Sequence, residues 1–129
     1  MKTKKIIGKR TGKPYTQESI NVSKNSLSIR INTITGKDGE FWVVIAPSIN
    51  VSGYGSNQKE AEESFDHNMD VFGDDLTSLK FDSRILELKK MGWEQQDHFK
   101  RRLSKVFVDE NGALQNLENA TLNSLEAVA

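Results

Sequence analysis

Phe41-Trp42-Val43-Val44-Ile45-Ala46 is the longest apolar run in the chain, and Pro47 closes it. Aromatic and β-branched residues in unbroken succession suit a central strand covered on both faces. The run falls far short of the ~20 residues that cross a bilayer, so no membrane span is expected. Pro47 has no N–H to donate to a ladder and fixes the end of the strand.

The neighbours of such a strand are sought on either side of it. Upstream, Leu27, Ile29 and Ile31 alternate with Ser28, Arg30 and Asn32, which is the period of a half-buried strand over Leu27 to Thr33. Gly36-Lys37-Asp38-Gly39 supplies turn chemistry between the two. Downstream, Asn50 to Tyr54 reads as a third short strand. Residues 1–25 hold few apolar anchors and read as a loosely ordered basic arm with one short strand at most.

Gly53-Tyr54-Gly55 then breaks the strand pattern and a helix begins. Asn57 is a favoured N-cap, and Glu60 three residues on completes a capping box. Ala61, Phe65, Met69 and Phe72 fall on one stripe at helical spacing. Glu62, Asp66 and Asp70, spaced i, i+4, i+8, form an acidic ridge beside it, with Glu63 alongside. Gly73-Asp74-Asp75 is read as the end of this helix. Ser83 caps a second helix over Arg84 to Met91, with Ile85, Leu88 and Met91 inward, Gly92 as the stop and Trp93 folding back onto the core. Lys105 to Val108 and Ala113 to Gln115 flank Asp109-Glu110-Asn111-Gly112 as a β-hairpin. Leu122, Leu125 and Val128 suit a helix by spacing, and a closing strand is the alternative for residues 120–129.

The expected architecture is therefore α+β: a three-stranded antiparallel meander with an amphipathic helix packed on it, plus a C-terminal helix and β-hairpin extension. At 129 residues, with 28% charged and 36% hydrophobic residues, residues 26–129 read as a single domain (26–75 and an extension, 76–129). Cysteine is absent, which excludes thiol catalysis and a disulfide framework and agrees with a reducing compartment. Lys2, Lys4 and Lys5 are followed only by Ile6-Ile7, so no secretory leader is read and a cytoplasmic location is expected.

Catalytic constellations are not found. His67 and His98 stand far apart without a partner at ligand spacing, so no metal or cofactor is expected. The strands Leu27 to Thr33 and Phe41 to Ala46 carry no acid, which argues against a two-metal nuclease. Net charge is zero, yet the charge is segregated. Acids dominate from Glu60 to Asp82, and bases return at Lys89, Lys90, Lys100, Arg101, Arg102 and Lys105, of which Lys100, Arg101, Arg102 and Lys105 are the candidate contacts to nucleic acid. A helix-turn-helix drawn across Gly92 fits poorly, because Leu88 and His98 stand where a small and an apolar residue belong.

The junction from Phe41 to Phe72 resembles that of the HicB-like antitoxins. In that family an aromatic-aliphatic strand leads through a Pro-containing turn and a glycine-bearing strand into a Gly-Asp-Thr-x-x-Glu-Ala helix start. Here Gly55, Asn57 as N-cap, and Glu60-Ala61 take the corresponding places. The resemblance covers Leu27 to Phe72. It implies a degraded RNase H-like fold without catalytic carboxylates, and a non-enzymatic role in neutralising a small basic HicA-like ribonuclease toxin. Glu62, Glu63, Asp66 and Asp70 are then the expected partner-binding residues. The alternatives are a nucleic-acid-binding transcriptional regulator using the basic arm and Lys100, Arg101 and Arg102, or an orphan self-associating domain; a homo-oligomer fits either.

Overall fold

A computed structural model describes residues 7–24, 26–96, 99–105 and 118–128. In chain order they form strands β1 (Ile7–Thr11), β2 (Ser19–Val22), β3 (Leu27–Asp38), β4 (Phe41–Ala46) and β5 (Val51–Gly55). Helices α1 (Gln58–Thr77) and α2 (Phe81–Lys90) follow, then β6 (Trp93–Gln96), β7 (Phe99–Lys105) and β8 (Glu118–Val128). Among the described residues the strands make one eight-stranded sheet in the order β1-β8-β3-β2-β7-β6, with β4 and β5 branching from β3. Every pairing is antiparallel.

This corrects the expected three-stranded meander with one helix across it. β3-β4-β5 exists, but as one wing of a larger sheet. The reason lies in β3, whose two edges both need partners. β8 pairs along one edge from Ser28 to Lys37. The other edge is shared: β2 takes Leu27 to Arg30 and β4 takes Ile34 to Asp38. The sheet therefore forks at Ile31-Asn32-Thr33. β3 also runs through Gly36 and Lys37, so the reversal is confined to Gly39 and Glu40.

Glu18 fills the fork. Its buried carboxylate accepts from the Asn32 backbone N–H at 2.9 Å and from Ser48 Oγ at 2.8 Å. Trp93 Nε1 donates to the Ser48 carbonyl at 3.1 Å, tying the core tryptophan to the same corner. Because β1 lies beyond β8 and β2 lies on the far side of β3, residues 12–17 cross one face of the sheet. The Asn32 side chain holds this crossing: Oδ1 accepts from Tyr15 N at 2.7 Å and Nδ2 donates to Tyr15 O at 3.0 Å. Residues of the 1–25 segment thus supply two strands and a crossing to the sheet.

The opposite face carries the core. Leu27, Ile29 and Ile31 of β3, Ile20 and Val22 of β2, Val44 and Ala46 of β4, and Leu125 and Ala127 of β8 are buried there with Phe65, Met69, Leu88 and Trp93. α1 sits close on β5. A Cβ on Gly53 would stand 2.1 Å from Phe65 N, and one on Gly55 would stand 2.4 Å from Glu60 Cβ, so glycine is required at both contacts. α1 also caps the outer edge of β5: Asn68 Nδ2 donates to Ser52 O at 2.7 Å, and Ser64 Oγ accepts from Tyr54 N at 3.4 Å.

The helices depart from the sequence reading at their ends. α1 does not stop at Gly73-Asp74-Asp75; Gly73 is buried within it, four residues beyond Met69 on the apolar stripe, and Leu76 continues that stripe. α2 begins at Phe81, with Lys80 rather than Ser83 at the N-cap and no side-chain cap. Gly92, at φ 96°, ends the turn after it, and Trp93 is buried. Residues 99–105, which a helix-turn-helix across Gly92 would put in its second helix, are strand β7, and residues 118–128 are strand β8, the closing-strand alternative for the C-terminal stretch. The hairpin turn at Asp109 to Gly112 and its flanks from Val106 to Gln115 lie outside the described residues.

Candidate functional site

α1 is the most strongly charged element. Its 20 residues carry seven acids, Glu60, Glu62, Glu63, Asp66, Asp70, Asp74 and Asp75, against Lys59 alone. At 100° per residue, Glu62, Asp66, Asp70, Glu63 and Asp74 fall within about 120° of the helix circumference. Ser64 and Asn68, which bind the edge of β5, lie on the other flank. The helix is therefore fixed by one side and presents acids on the other. Glu63 and Asp66 are exposed, whereas Glu62 and Asp70 are half-buried beside the stripe. Asp66 and Asp70 each make an interaction within the chain.

The start of α1 is built as the sequence suggests, with one variation. Asn57 Oδ1 accepts from Glu60 N at 2.9 Å. Glu60 Oε1 reaches past the cap to Ser56, accepting from its Oγ at 2.7 Å and its N–H at 3.1 Å. The Ser56 hydroxyl, then the Ser56 N–H, hold the Glu60 carboxyl below the usual carboxylate range.

The end of α1 has no basic residue in its last turn, and Asp74 and Asp75 stand where the helix dipole disfavours anions. The missing cation comes from α2. Arg84, buried, donates from Nη2 to Thr77 O at 2.9 Å and Lys24 O at 3.0 Å, from Nε to Leu79 O at 2.9 Å, and from Nη1 to Ser23 O at 2.5 Å. One guanidinium thus joins the end of α1, the interhelical link and the β2–β3 turn. Sequence reasoning missed this residue. Its signal was an arginine on the apolar stripe of α2, four residues before Leu88 and seven before Met91.

The basic candidates Lys100, Arg101, Arg102 and Lys105 all fall in β7. Successive side chains of a strand point to opposite faces. Arg101 and Arg102 therefore diverge, and the run does not make the single patch that a helix or loop would have made. Arg101 is exposed; Arg102 lies opposite Asn21 and its Nε is buried without a hydrogen-bond partner among the described residues. His67 is exposed on α1, and His98 lies outside the described residues. Among the described residues no three His, Asp or Glu side chains are grouped to hold a metal ion.

Comparison of the chain with protein-family models, curated proteins and solved structures gave no match. No helix among the described residues is long and apolar enough to cross a membrane.

Proposed function

We propose that the chain is a non-enzymatic binding protein that receives a small basic protein on the acidic flank of α1. The resemblance of residues 27–72 to HicB-like antitoxins makes a HicA-like ribonuclease the partner of choice. The observation that carries the reading is the concentration of seven acids in one helix of a chain with no net charge.

That concentration works against the helix itself. Like charges at i, i+4, as in Glu62/Asp66, Asp66/Asp70 and Asp70/Asp74, each cost an isolated helix about 0.2–0.5 kcal/mol. Asp74 and Asp75 add an unfavourable interaction with the C-terminal end. A cationic partner relieves both, and exposed acids accelerate its approach. We extend the reading to a cytoplasmic location, which suits a chain without cysteine.

The test is the association rate with a HicA-like ribonuclease across a salt series. Glu62→Lys, Asp66→Lys and Asp70→Lys together are expected to slow association at low salt by about tenfold or more and to flatten its salt dependence. A rate and salt dependence equal to those of the unmodified chain would reject the reading.

A further inference from the structure

β1 is anchored differently from the rest of the sheet. Among the described residues it touches β8 and no other element, whereas every other strand touches at least two. The chain leaves β1 at Thr11, crosses the sheet through exposed Gly12, Lys13, Pro14, Thr16 and Gln17, and enters β2 at Ser19. The Asn32 side chain ties this crossing down at Tyr15. Residues 7–17 can therefore leave together. Their release costs the β1–β8 ladder and the Asn32 contact, while β2 keeps its pairings with β3 and β7.

We propose that β1 is an exchangeable strand, and that two copies of the chain associate by each laying its β1 on the other's β8. Release of β1 bares backbone N–H and C=O groups of β8 between Ser124 and Val128, which need a replacement. The register specifies what that replacement is. Ile7 stands opposite Val128, Gly8 opposite Ala127, Lys9 opposite Glu126 and Thr11 opposite Ser124. β1 of a second copy restores each pairing, including the opposite charges of Lys9 and Glu126, because it has the same sequence. The internal and exchanged ladders are the same, so concentration decides between them: a short tether holds its own strand at an effective concentration on the order of 1 mM. Pro14 favours the exchanged form, because proline and the residue before it prefer the extended backbone of an opened hinge. Pairing of two β1 strands without exchange is disfavoured, since a two-fold ladder over the whole strand sets Lys9 against its own copy. α1 plays no part in the exchange, so the proposal is independent of the α1 reading.

Disulfide trapping in the full chain tests it, because the chain has no cysteine of its own. Lys9→Cys with Glu126→Cys in one chain, kept dilute, is expected to close within that chain. The same substitutions are then divided between two chains, mixed at about 1 mM and mildly oxidised. A disulfide joining positions 9 and 126 of different chains forms readily where the β1 of one lies on the β8 of the other. Leu86→Cys, at an exposed position on α2, replaces Lys9→Cys in the control mixture and gives the rate of random collision. The 9–126 link is expected to form at least about tenfold faster than the control link, and Asn32→Ala in both chains to quicken it about tenfold more by freeing the crossing. Far-ultraviolet circular dichroism establishes that each variant is folded. A 9–126 link that forms no faster than the control overturns the proposal, as does a rate that Asn32→Ala leaves unchanged.

Discussion

Arg84 Nη2 donates to the Thr77 carbonyl at 2.9 Å, where α1 ends. The helix carries no basic residue in its last turn, so this contact supplies its C-terminal charge from outside. Arg84 Nη1 also reaches Ser23, 61 residues earlier in the chain, so the same side chain closes the fold over a long loop. Replacing it with methionine keeps the stem and leaves four carbonyl acceptors without their donor. We predict a loss of about 3 kcal/mol in urea unfolding. Arg84→Lys retains charge but not the fork, and falls between. A loss under about 0.5 kcal/mol for the methionine variant would show that water replaces the guanidinium at no cost.

Gly53 sets the distance between α1 and β5. The added methyl of Gly53→Ala meets the Phe65 backbone, which cannot rotate away as a side-chain tip can. The helix must shift, at about 3 kcal/mol. The measurement is the thermal midpoint. Gly12→Ala is the control, because a Cβ there meets nothing within 4 Å.

The carboxyl of Glu60 titrates below the ordinary range because Ser56 donates to it. A depressed folded-state value means that its contribution is present above the unfolded value and is lost as pH falls through the folded one. Ser56→Ala removes the larger cause and keeps the backbone donor, so the Glu60 midpoint rises part of the way back. Carboxyl-carbon NMR against pH measures it. An unmoved midpoint would assign the depression elsewhere.

Asn32 and Tyr15 form a side-chain copy of a backbone bridge. In Asn32→Ala the crossing loses both bonds while the pairings of β2 and β3 remain. Amide exchange at Tyr15 is expected to accelerate at least about tenfold, with Ile29 and Ile31 unchanged, since local opening costs less than global unfolding. Equal protection at Tyr15 in both proteins would deny Asn32 that role.

The elements readable in the sequence were those whose own pattern decides them. β3 alternates, β4 is an apolar run closed by Pro47, and α1 opens on a capping box. β2 and β8 were not readable in the same way. Ser19-Ile20-Asn21-Val22 is too short to carry a period, and its buried Ile20 is placed by Ile29 and Leu103 on either side. In β8 the buried positions are Ser124, Leu125 and Ala127, and two of these are small; the leucines at 122 and 125 instead mimic helical spacing. Gly73 looked like a stop because glycine is a poor helix former, yet tertiary packing keeps it inside α1. The acidic flank was legible as spacing. The division of Arg101 and Arg102 between two faces was not, because it depends on residues 99–105 being a strand.

Recovery of the partner is the most direct test of the binding account. The chain serves as bait in a lysate of its native cells, beside a variant carrying Glu62→Lys, Glu63→Lys, Asp66→Lys and Asp70→Lys. The account predicts that the unmodified bait alone retains a small basic protein in stoichiometric amount and suppresses its ribonuclease activity. Recovery of no basic protein, or of the same protein equally by both baits, would contradict it.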